Sequence, residues 1–80
     1  MDECFLDVST LPPPEPLEMA VRAAMSLKVG ERLRVRLPRQ PYPLFGFLAE
    51  EGFAYESCPV SLGADVVYDV VITRNTRRSV

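Results

Sequence analysis

Residues 6–21 read LDVSTLPPPEPLEMAV, with four prolines in the five positions from Pro12 to Pro16. The run CFLDVS (residues 4–9) ahead of the prolines is short, β-rich and partly alternating, which predicts a strand with Leu6 and Val8 turned to the core. Leu11, Pro12, Pro13 and Glu15 each precede a proline and are biased towards extended backbone, so the strand ends there. Proline suits the first helical position, where its missing N–H has no partner to lose. A helix is therefore expected to begin near Pro14 or Pro16 and to run to about Leu27.

Working outward, Leu17, Ala20, Val21, Ala24 and Leu27 fall on one helical face, and Glu18, Arg22 and Ser26 on the other. Gly30 is the expected stop. ERLRVRL (residues 31–37) then alternates strictly: Leu33, Val35 and Leu37 point one way, Arg32, Arg34 and Arg36 the other. That is a strand with one buried and one wet face. PRQPYP forms a second proline-stiffened loop, and LFGFLAEE reads as a short helix closed by Gly52. FAYESCPV and VVYDVVITR are two further strands, joined through SLGAD as an antiparallel hairpin. In the last strand Val66, Tyr68, Val70 and Ile72 share one face, and Val67, Asp69, Val71 and Thr73 the other.

The order β-α-β-α-β-β predicts an α+β fold. It is a two-layer α/β sandwich, a mixed four-stranded sheet with both helices on one face. At 80 residues the chain holds one domain, with a core over about 4–74 and a flexible tail at 75–80.

Composition narrows the chemistry. There is no His, which removes most zinc sites and every Ser-His or Cys-His nucleophile arrangement. Cys4 and Cys58 alone cannot make a four-ligand zinc site. No metal or cofactor is expected. The acidic start MDECFLDV is unlike a signal peptide, and the apolar runs are too short to span a membrane. These readings predict a cytoplasmic protein with two free thiols, monomeric or weakly dimeric. The net charge of −2 argues against general nucleic-acid binding, DNA included.

The residues LDVSTLPPPEPLEMAVRAAMSLKVGERLRVRL, PYPLFGFLAEEGFAYE and VYDVVITR, in this order and spacing, resemble the TusA/SirA group of small sulfur-carrier domains. The likeness is greatest to a branch of that group that lacks its cysteine and is known only as a domain of unknown function. TusA-like domains carry Cys-Pro-x-Pro at the start of the first helix, where the helix end stabilises a thiolate that accepts a persulfide. The matching run here is Pro13-Pro14-Glu15-Pro16: both motif prolines are present, and the cysteine position is Pro13. Proline cannot carry sulfur, so the resemblance implies the rigid junction without the family's reactive atom.

Two other sets of residues hold candidate chemistry. Neither Cys4 nor Cys58 falls at an expected helix N-terminus, and each reads as a small, buried or half-buried apolar residue. Among Asp7, Glu15, Glu50, Glu51 and Asp69, only Asp7 and Glu15 flank a common turn, and Glu15 also suits the helix dipole. Arg32, Arg34 and Arg36 are either a solvated face paired with Asp69 and Glu56 or, with Arg39, a docking patch for an acidic partner. The expected function is a non-enzymatic module that binds a protein partner or a small anionic ligand. Its expected face combines Pro12 to Pro16, Glu15 included, with Arg32, Arg34, Arg36 and Arg39. A sulfur carrier using Cys58 or Cys4 is the alternative. RNA binding, which would weaken steeply with salt, comes third.

Overall fold

The computed structural model describes residues 3–74, so the expected tail at 75–80 lies outside the described residues. The elements are β1 (Glu3–Asp7), α1 (Glu15–Met25), β2 (Arg32–Leu37), α2 (Tyr42–Glu51), β3 (Ala54–Leu62) and β4 (Asp65–Thr73). The sheet order is β1-β2-β4-β3, with β1 and β2 parallel and the other two pairs antiparallel. The fold is α+β with the anticipated order. No helix among the described residues is long and apolar enough to cross a membrane.

Alternation decides which face of the sheet is covered. Leu33, Val35, Leu37, Val70 and Ile72 meet Ala20 and Ala24 of α1 and Leu44 and Leu48 of α2 in one buried cluster. Val8, just beyond β1, is also fully buried, and Leu6, Leu17 and Val21 pack at the margin. The opposite face carries Glu3, Phe5 and Asp7 beside Arg32, Arg34 and Arg36, because parallel pairing sets Glu3 against Arg32 and Asp7 against Arg36. No helix among the described residues covers this second face.

Several boundaries differ from the sequence expectation, each for a local reason. α1 ends five residues before Gly30, with the Ser26 N–H donating back to the Ala23 carbonyl and the Leu27 N–H to that of Ala24. Gly30, at φ 91°, belongs instead to a turn in which its N–H donates to the Arg74 carbonyl, tying the start of β2 to the end of β4. α2 starts two residues earlier than expected, since Pro43 is tolerated in a first helical turn. The SLGAD connection shrinks to Gly63 and Ala64, because Leu62 still pairs with Asp65. Positive φ at Gly63 and at no other residue of that turn is the pattern of a two-residue type II′ hairpin. Pro59, inside β3, is tolerated because β3 is an edge strand with one side free of ladder bonds.

Candidate functional site

Because β1 and β2 are parallel, their two strand-to-helix junctions emerge at the same end of the sheet, where connecting loops build binding crevices in open α/β sheets. Both junctions are proline-rich. An open trough of about 470 Å³ lies between them. Leu11, Pro13, Pro14, Pro16 and Leu17 form one wall. Pro38, Arg39, Gln40, Pro41 and Pro43 form the other, with Leu37 from the end of β2 between them. The Pro13–Pro14 peptide is cis.

The helix starts at this end are nearly closed to anions. The Glu15 N–H donates to the Pro12 carbonyl at 3.0 Å, and Pro16 has no N–H. In α2 the Tyr42 N–H donates to Gln40 O at 3.1 Å and the Leu44 N–H to Pro41 O at 3.0 Å, with Pro43 between them. Apart from Leu17, the first turns of both helices therefore offer no free amide, and the usual donors of a phosphate or thiolate site are absent. The polar chemistry of the trough comes from two side chains, Arg39 and Gln40. The Ser57 hydroxyl on β3 donates to Gln40 Oε1 at 2.6 Å, which fixes the amide and leaves its NH₂ as a donor.

The structure thus divides the residues singled out from sequence between two places. Pro13, Pro14, Pro16 and Arg39 line the trough, while Glu15 is exposed on α1 outside it. Arg32, Arg34 and Arg36 lie on the uncovered face of the sheet. There Asp69, 2% exposed, accepts from Arg36 Nε at 2.8 Å, Arg36 Nη2 at 3.1 Å and Arg34 Nη1 at 3.2 Å. Hydrogen bonding from Arg36, helped by Arg34, holds the Asp69 carboxyl below its ordinary value, and the same bonds raise Arg36. Glu3 supplies the remaining partner, 3.8 Å from Arg32 and 3.7 Å from Arg34; Glu56, the other anticipated partner, is in none of these pairs. The Arg36 guanidinium also sits 5.3 Å from the Phe5 ring centroid. The expectation of a solvated face is corrected for Asp69, which is buried beneath its arginine partners.

The thiols also differ from expectation. Both cysteines are exposed rather than buried. The reason is position: β1 and β3 are the edge strands, and Cys58 stands opposite Asp69 on the uncovered face. Neither thiol lines the trough. Asp7 and Glu15 do not form a carboxylate pair; Asp7 instead accepts from the Ser9 hydroxyl at 2.7 Å, which lowers its pKa. No group of three or more metal-ligating side chains occurs among the described residues.

Of the second wall only Arg39 was singled out from sequence, although a signal for the rest existed. PRQPYP repeats the arrangement of LPPPEP, a proline cluster between a strand and a helix. Two such junctions in a parallel pair must come together. Residues 5–73 match a family described as an uncharacterized conserved protein, DUF2249. The chain belongs to that family. Both walls of the trough and the cluster of Arg34, Arg36 and Asp69 fall within the DUF2249 match. Neither a curated protein nor a solved structure matches the chain.

Proposed function

We propose that this DUF2249 chain is a non-enzymatic, TusA/SirA-related module that docks a segment of a protein partner between its two proline-rich junctions. The apolar trough itself carries the reading. Its walls are mostly leucine and proline, the first turns of both helices leave only the Leu17 amide free, and neither thiol reaches it. Prolines stiffen both rims, so less conformational entropy is lost when a segment is ordered against them. The run Pro13-Pro14-Glu15-Pro16 supports the kinship, with Pro13 where a sulfur carrier needs its cysteine.

A photo-reactive phenylalanine analogue tests the reading. Placed at the exposed Pro43, it should crosslink one discrete protein species in cells, and Leu17→Lys on the facing wall should remove that crosslink while circular dichroism stays unchanged. The same analogue at Glu56, on the far side of the sheet, should give no such product. Crosslinking from Glu56 alone would overturn the proposal.

The exposure of both thiols supports one alternative, a sulfur carrier using Cys58 or Cys4. On the favoured reading, incubation with a cysteine desulfurase and cysteine leaves the protein's mass unchanged. A gain of one sulfur, removed by Cys58→Ser or Cys4→Ser, would decide for the alternative.

A further inference from the structure

Building on the docking reading, we infer that the docked segment carries a bulky apolar side chain and, one or two residues away, a carboxylate held by Arg39 and Gln40. Five observations lead there. The trough lining contains no carboxylate, and its two polar side chains are both donors. Ser57 already engages Gln40 Oε1, the one acceptor among these side chains, so what they chiefly offer an incoming group is donors.

Arg39 also differs from the other arginines of its segment. Arg32, Arg34 and Arg36 are paired with Glu3 and Asp69, whereas Arg39 makes no ion pair with any described residue. Its charge is available at the rim of an apolar surface, on a chain whose net charge is −2. The helix starts lack the cluster of amides that a phosphate would need, which favours a single planar carboxylate meeting a guanidinium. Finally, a trough of about 470 Å³ is large enough for a bulky side chain and its neighbours. Because it is open along its length, it would leave much of a free small molecule in water, so a segment of a larger partner is the better fit.

The test uses the full ¹⁵N-labelled chain and three blocked tetrapeptides, acetyl-Gly-Phe-Xaa-Gly-amide with Glu, Gln or Lys at Xaa. The Phe-Glu peptide should move the amide resonances of Leu11, Leu17 and Leu37 and bind about five times more tightly than Phe-Gln, the scale of one rim charge. Arg39→Glu, at an exposed position, should reverse the order so that Phe-Lys binds best. Ser57→Ala should weaken Phe-Glu and leave Phe-Gln nearly unchanged, a split that loss of packing alone does not produce. Equal binding of all three peptides, unaffected by Arg39→Glu, overturns the carboxylate inference and leaves trough docking standing. No shift at the trough with any peptide overturns both. Tighter binding of octanoate than of Phe-Glu overturns the inference in favour of a free small carboxylate. Trough resonances that move when the protein alone is diluted overturn it in favour of a second copy.

Discussion

Asp69→Ala is expected to lower the stability of the fold by about 2–4 kcal/mol, read as a fall in the urea midpoint. Asp69 stands midway along β4, 2% exposed, and accepts three hydrogen bonds from Arg34 and Arg36 of the neighbouring strand. Truncating it leaves two guanidiniums close together on β2 with no common counter-ion. The arginine side chains are 39% and 23% exposed, so water recovers part of the loss and the cost falls short of that for a fully buried pair. An 80-residue domain has only about 4–12 kcal/mol in total, so even the low end is a large share.

The pH dependence separates charge from packing. The folded Asp69 carboxyl titrates below its ordinary 3.8, chiefly through the hydrogen bonds from Arg36. A depressed carboxyl pKa contributes stability in full above the unfolded value and loses it as pH falls through the folded one. The native and Asp69→Ala curves should therefore lie furthest apart near neutral pH and converge below about pH 4. Asp69→Asn should fall between them. A gap of the same size at pH 7 and pH 2 would show that the residue acts through its volume and not its charge.

Alternation made one layer of this molecule legible from sequence. Leu33, Val35 and Leu37 were bound to face the core once Arg32, Arg34 and Arg36 were seen between them, and the spacing of Ala20, Ala24 and Leu27 marked the helical face laid over them. Of the two partners expected for the arginines, Asp69 is used and Glu56 is not. Arg36 opposes Asp69 only because β4 inserts between β2 and β3, an order that sequence neighbours do not reveal. Burial of Asp69 follows from that same insertion, since a central strand is shielded on both sides.

The exposure of Cys4 and Cys58 has the converse cause. A cysteine in a β-rich run reads as buried until the strand carrying it is known to be an edge. The trough was half legible, through the proline run before α1. Its second wall depended on β1 and β2 being parallel neighbours, and so did the separation of Arg39 from the other three arginines. A proline cluster states where a chain turns, whereas the strand pairing decides what the turn will face.

Leu44→Ala should cost about 3–4 kcal/mol, by loss of transferred area together with the cavity left behind. Leu44 is fully buried in the first turn of α2, and Leu48 is equally buried one turn later. α2 has little helical propensity of its own. Gly46 and three aromatic residues occupy its 10 positions, and no side chain caps its start. A segment so short and weakly helical is held by what it buries, so removing Leu44 should release α2 before the rest of the sheet unfolds. Hydrogen exchange would show this as early loss of protection over residues 42–51, with protection in β2 and β4 persisting longer. Pro43 and the Gln40–Ser57 contact sit at the start of the same helix, so one wall of the trough should be lost at the same time. Peptide shifts at Leu17 should then vanish in step with the α2 amides. If Leu44→Ala cost less than about 1 kcal/mol, or if Leu17 still responded to peptide after α2 had exchanged, the second wall would not depend on this helix.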